Sequence, residues 1–164
     1  EDKINNVARV LAFGALKFEM VKVSGEKVIT FDMDKALQFE GFTAAYIQYT
    51  YARIQSLKRK GEKTKTSNVD FQYLKENKEK EISLFLGRFN EVVKVAGETY
   101  QPSEVARYLY ELAQTFNEYY HTTQIINAEG GENVKHARLE LAQAVGQVIE
   151  NGLKLLGVGV VEEM

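Results

Sequence analysis

Apolar side chains recur at steps of three and four along most of this chain, which is the spacing of a helix with one buried face. In "INNVARVLAFGALKF" (4–18), Val7, Leu11, Ala15 and Phe18 keep that spacing. Gly25 marks a turn, and "KVITF" (27–31) has the β-branched content of a short strand. "FDMDKALQFEG" then links to Gly41, after which the pattern is helical almost throughout. Thr43 can cap a helix over 44–60 whose stripe is Ile47, Tyr51, Ile54 and Leu57. "GEKTKTSNVD" (61–70) has no apolar period and reads as a loop. A helix over 72–96 places Ile82, Phe85, Leu86, Phe89, Val92, Val93 and Ala96 on one face, with Gly97 positioned to end it. Pro102 and Glu104 suit the first turn of a helix over 102–123, which buries Val105, Leu109, Leu112 and Phe116. "NAEGGEN" (127–133) is a turn with Asn133 as cap. The last helix buries Leu141, Val145, Val148, Ile149 and Leu156, and the glycines of "GVGVVEEM" stop it. The pattern predicts an all-α helical bundle preceded by a short mixed α/β segment, with the boundary near residue 40.

Composition narrows this picture. A chain of 164 residues can bury a proper core, and 45% apolar with 27% charged residues is ordinary globular content. Glu1, not Met, stands first, so the sequence reads as a piece of something longer. A single proline permits long uninterrupted helices. With no cysteine there are neither disulfides nor thiolate metal sites, which fits a reducing, cytoplasmic compartment. No apolar run is long enough to span a bilayer as a helix, and no signal-peptide pattern opens the chain.

Self-sufficient catalytic chemistry is not written here. His121 and His136 stand far apart without partners at metal-ligand spacing, and no P-loop, G-x-G-x-x-G or G-x-S-x-G pattern occurs. Asp32 and Asp34 are two carboxylates without further ligands, better read as capping the chain where it enters the bundle. Glu76, Glu79 and Glu81 alternate with lysines, the pattern of a solvated helix face.

One stretch departs from the bland background. In "YIQYTYARIQSLKRK" (46–60), Tyr46, Tyr49, Arg53, Ser56 and Lys60 fall on one helical face beside the apolar stripe. Arg53, Lys58, Arg59, Lys60, Lys63 and Lys65 face a single acid, Glu62, although the whole chain carries a net charge of −2. Rings beside cations suit single-stranded nucleic acid, whose bases stack and whose phosphates need neutralising. The alternative is structural: tyrosines flank many helical seams, and a basic run complements a helix C-terminus. Farther on, "FNEYYH" (116–121) cannot turn both Tyr119 and Tyr120 inward, so at least one ring meets the surface.

"GALKF" (14–18), "FDMDKALQFEGFTAAYIQYTYARIQS" (31–56), "ARYLYELAQTFNEYYH" (106–121) and "ARLELAQAVGQVIENGLKLLGV" (137–158) together resemble the C-terminal part of arginyl-tRNA synthetases. The resemblance covers nearly the whole chain except 61–80. It implies that residues 1–40 are the tail of a class I catalytic domain and 41–164 an α-helical, D-A-L-R-type anticodon-binding domain. It further implies that Tyr46, Tyr49, Arg53 and Lys60, with Tyr120 (or Tyr119) and Met164, face the anticodon stem-loop of an arginine tRNA. Splayed loop bases stacked on rings and read along their edges fit that role. The family's H-I-G-H-like and K-M-S-K-S-like ATP-binding signatures are missing, so by this resemblance the piece alone has no cofactor and charges no tRNA. The parent would be a monomeric arginine–tRNA ligase using ATP and Mg2+. Departures stand at Met33, Phe42, Ala45 and Glu163, where the family commonly carries Trp, Asn, Pro and Arg. Two other readings stay open on the residues: a helical protein-interaction module, and the anticodon domain of a related class I synthetase such as the cysteinyl one.

Overall fold

α3 (Ala44–Gly61) is the helix around which the others are arranged, because it carries more than one face that must leave water. Ile47, Tyr51, Ile54 and Leu57 are buried, as their spacing predicts, and so are Gln48 and Thr50 on adjoining sides. The helix therefore packs against three others at once. These are α1 (Asp2–Val21), α5 (Pro102–Thr122) and α6 (Glu132–Leu155). α4 (Asn77–Glu98) closes the far side against α5 and α6, and the short α2 (Met33–Ala36) leans on α1. This computed structural model describes residues 2–61 and 69–164, and among the described residues there is no strand. Most of the loop expected over 61–70 lies outside the described residues, as do Glu62, Lys63 and Lys65.

The strand expected over 27–31 does not form. A strand is stabilised by ladder bonds to a neighbour, and here no second strand exists among the described residues to supply one. Val28 is 95% exposed, so the β-branched content of this stretch marks neither pairing nor burial. The segment before residue 40 is thus helical and irregular, not mixed α/β. Asp32 does cap: its Oδ1 accepts from Lys35 N at 3.1 Å, opening α2.

Helix ends follow local chemistry, with three corrections. Thr43 Oγ1 accepts from Tyr46 N at 3.2 Å and caps α3, while Pro102 opens α5. α4 starts at Asn77, not near 72. A 3-10 turn over Phe71–Tyr73, capped by Asp70, precedes it, and Glu79 reaches back to accept from Glu76 N at 2.9 Å. Gly97 does not end α4. The chain runs on to Glu98 and closes with Gln101 N donating to Ala96 O and Tyr100 N to Gly97 O, a Schellman pattern whose left-handed residue is Tyr100 (φ 56°). Asn133 does not cap α6. Gly131 holds that position at φ 88°, and Asn133 lies inside the helix, donating to Tyr73 Oη at 3.2 Å. At the other end of α6, Gly157 (φ 69°) performs the expected stop, with Val158 N bonded to Leu153 O.

The residues after α6 turn back along α1 and α3. Lys17 Nζ donates to Gly157 O at 2.7 Å, and Gln48 Nε2 to Gly159 O at 2.7 Å. Val158 and Val161 are buried, and Arg59 reaches Glu162 O at 3.3 Å. A Cβ on Gly14 would stand 2.7 Å from Gln48 Nε2, so the close approach of α1 to this bond needs glycine there. The tail is thereby carried to the C-terminal half of α3, where the basic face begins.

Candidate nucleic-acid interface

α3 places Tyr49, Arg53, Ser56 and Lys60 at steps of three and four, so they form one line along its surface. α5 brings Tyr120 opposite that line, and the tail brings Met164. Together they line an open cleft of about 480 Å³. Arg53 occupies its centre. Its Cζ lies 4.8 Å from the Tyr49 ring centroid and 4.7 Å from that of Tyr120, so the guanidinium bridges two aromatic rings. The guanidinium also donates to Asn117 Oδ1. Among the described residues no carboxylate lies within ion-pair distance of Arg53. Tyr49 is 40% exposed and Met164 43% exposed, so both remain open to a ligand.

The sequence-predicted residues divide unequally. Tyr49, Arg53, Lys60, Tyr120 and Met164 share the cleft. Tyr46 does not. It is half-buried, with its ring 5.5 Å from that of Tyr110, and although its face lies beside the apolar stripe it packs on the core. Tyr46 lines a smaller depression of about 380 Å³ on the other side of Tyr49 and Arg53, together with Phe39, Gln114 and His121. Phe42, one of the departures, explains this placement: its ring lies 5.1 Å from Tyr110 and 5.4 Å from Phe18, extending an aromatic cluster that draws Tyr46 inward. Of the adjacent tyrosines in α5, Tyr119 is fully buried and Tyr120 meets the cleft, as the pattern required.

The electrostatics are mixed. Lys58, Arg59 and Lys60 crowd the last turn of α3 and are exposed. Glu163 faces them, with one carboxylate oxygen 3.7 Å from Arg59 and the other 2.6 Å from Lys3. The hydrogen bond from Lys3, its charge and that of Arg59 hold the Glu163 carboxyl below its ordinary range. The cleft is positive with one acid at its rim.

Against known protein families, residues 47–164 match the DALR anticodon binding domain. The chain belongs to this family. An arginine–tRNA ligase of Bdellovibrio bacteriovorus is 37% identical over 164 residues, all of this chain and 28% of that relative. One from Clostridium botulinum is 41% identical over 159 residues, 97% of this chain and 28% of that relative. Among solved structures, the arginyl-tRNA synthetase of Thermus thermophilus superposes with a TM-score of 0.88 at 35% identity, covering 96% of this chain and 27% of that one. The chain spans about 28% of the length of the curated relatives it matches.

Within this DALR domain, sequence reasoning missed Asn117 and Thr50, which support Arg53 from beneath. The signal was present. Asn117 falls one helical turn after Ala113 on the buried face of α5, and a polar residue on an apolar stripe needs a partner. Of the three acids expected on a solvated face, Glu76 and Glu81 are exposed, and only Glu79 departs. Glu79 is fully buried, accepting from Arg138 Nε at 2.7 Å and Tyr119 Oη at 3.1 Å.

Proposed function

We propose that this DALR domain binds the anticodon stem-loop of an arginine tRNA, within an arginine–tRNA ligase whose catalytic part belongs to the same polypeptide. The observation that carries the reading is the Tyr49–Arg53–Tyr120 arrangement: two rings and an unneutralised guanidinium at the wall of an open cleft. Unpaired bases stack on such rings for about 1–3 kcal/mol each, and Lys58, Arg59 and Lys60 lie beside them for the phosphates. Tyr49, Arg53, Lys60, Tyr120 and Met164 take the loop, and Tyr46 acts from the adjoining depression.

Residues 1–40 belong to the catalytic part by this reading. α1 supports it by being apolar on two opposed sides. Gly14, Ala15 and Phe18 are buried in the bundle, while Phe13 (52%), Leu16 (39%) and Met20 (48%) are exposed on the opposite side. A helix apolar on both sides is one made to be covered on both. Among the described residues no group of three or more His, Asp or Glu is placed to hold a metal ion. By this reading ATP and Mg2+ belong to the rest of the polypeptide, because the H-I-G-H-like and K-M-S-K-S-like signatures do not occur in these 164 residues, and this piece alone is expected to form no arginyl-tRNA. No helix among the described residues is long and apolar enough to cross a membrane, and the reading makes the parent a cytoplasmic enzyme acting as a monomer.

Titration of a synthetic arginine-tRNA anticodon stem-loop at two salt concentrations tests this. Binding should weaken steeply with salt as phosphate contacts release counterions, and Tyr49→Ala should cost a stacking-sized ~10-fold or more. Absence of binding at low salt would reject the reading. Attention would then turn to the groove of about 830 Å³ between α4 and α6, where Phe71 and Leu84 are exposed, as the seat of a protein-interaction module.

A further inference from the structure

Arg53 is held by more than its two rings. Behind its bond to Asn117 Oδ1 stands a relay: Asn117 Nδ2 donates to Thr50 Oγ1 at 2.9 Å, and Thr50 Oγ1 donates to Tyr46 O at 2.9 Å, one turn back on α3. This relay can run in one direction only. A hydroxyl has a single hydrogen, and Thr50 commits it to a main-chain carbonyl, so towards Asn117 its oxygen can only accept. The Asn117 amide must then turn its NH2 to Thr50 and its oxygen to Arg53. The reversed amide would set NH2 against a guanidinium, which has donors alone. The α3 backbone thus decides which atom Arg53 meets.

Burial makes the relay stiff. Thr50 is 0% and Asn117 7% exposed, so water offers the amide no ready substitute partner. The acceptor is also neutral. A carboxylate in the same place could accept from Arg53, but it would have no donor for Thr50 and would cancel the charge.

We propose that Asn117, oriented by Thr50, is the positioning residue of this interface. It fixes the guanidinium plane of Arg53 between Tyr49 and Tyr120 and leaves the positive charge available to an unpaired nucleotide. This rests on the RNA-binding reading above, and the test separates the two.

The 164-residue chain would be titrated with the same arginine-tRNA anticodon stem-loop at two salt concentrations, alongside denaturant unfolding. The variants are Asn117→Ala, Asn117→Asp, Thr50→Val, Arg53→Ala and the double change at 53 and 117. Asn117→Ala should weaken binding roughly tenfold, the scale of a hydrogen bond to a charged group, with the salt dependence kept because the charge remains. In the Arg53→Ala background the same change should cost nothing further. Asn117→Asp keeps an acceptor facing Arg53 but gives up the bond to Thr50, and by neutralising the guanidinium it should flatten the salt slope by about one phosphate contact, an effect that a loss of packing alone would not produce. Thr50→Val keeps Asn117 and frees its amide to turn, so it should weaken binding even if Asn117→Ala does not fold. Equal losses from Asn117→Ala with and without Arg53 would overturn the proposal, as would unaffected binding in Thr50→Val or an unchanged salt slope in Asn117→Asp. If Arg53→Ala weakens binding but neither Asn117 nor Thr50 matters, this inference fails alone. If Arg53→Ala has no effect, the RNA-binding reading fails with it.

Discussion

Arg53 and Arg138 both cross a seam between helices, and both reach a side chain on a neighbouring helix. Arg138 of α6 meets Glu79 of α4 at 2.7 Å, where the carboxylate is fully buried, and it also donates to Gln124 O at 3.0 Å. Tyr119 Oη and Glu76 N add further donors to the same carboxylate. Every charge there is answered inside the bundle. Arg53 of α3 meets an amide oxygen and two rings, none of which neutralises it. Two consecutive residues of α5 serve the two places, Tyr119 the closed one and Tyr120 the open one. The difference teaches how to tell an arginine neutralised within the fold from one whose charge stays available: by the charge of its partner more than by how many partners it has.

The comparison breaks first at Arg138. Arg138→Leu leaves the Glu79 carboxylate buried without a cation, and should cost about 3–5 kcal/mol in urea unfolding. Arg53→Leu should cost less, about 1–3 kcal/mol, since it strands a buried amide oxygen but no charge. Similar losses would erase the distinction. The paired tyrosines sharpen it next. Tyr119→Phe withdraws a donor from the buried carboxylate and should cost about 1–3 kcal/mol, whereas Tyr120→Phe should change stability by less than about 0.5 kcal/mol.

Alkaline pH probes the closed seam and the core beside it. Burial, then the charge of Glu79, raises the Tyr119 phenol well above its ordinary value, and burial first, with Glu150 second, pushes Tyr51 up to about 12. Tyr108 rises to about 12 through burial. In the unfolded chain these phenols ionise near 10, so between pH 10 and 12 the folded state holds more protons than the unfolded one. Stability contributed by the three phenols is complete below pH 10 and should drain away as pH rises towards 12. Melting temperatures measured with phenolate absorbance should show that fall, and Tyr119→Phe should make it shallower. A melting temperature that does not change over this range would contradict the burial. The smallest effect belongs to the open cleft. Glu163→Gln removes the acid at its rim and should raise stem-loop affinity roughly two- to fivefold without a measurable change in melting, an increment typical of one exposed charge pair.

Most of the bundle was legible because apolar spacing and caps are local. The stripes of α3 and α5, the Thr43 cap, the first-turn Pro102 and the Gly157 stop all follow from residues within a turn or two of each other. What was not legible depends on distant partners. β-branched residues at 27–31 suggested a strand, but only a second strand could have made one. Lysines around Glu79 suggested solvent, but Arg138 and Tyr119 lie 59 and 40 residues away in sequence. Gly97 and Asn133 carried the usual end signals, yet Tyr100 and Gly131 took the positive-φ positions because the chain had to turn there. Within the cleft, the basic and aromatic line on α3 could be read directly. The inward pull on Tyr46 could not, since it comes from Phe42 and Tyr110.

The tail's course along α3 has a practical corollary. Gln48 and Lys17 moor the backbone at Gly159 and Gly157, so Met164 arrives beside Tyr49 and Tyr120 with little slack. A purification handle or fluorescent fusion joined after Met164 would emerge at the mouth of the cleft and crowd whatever enters. Labels for binding measurements are better attached elsewhere, for example at the exposed Leu84 of α4, which does not line this cleft.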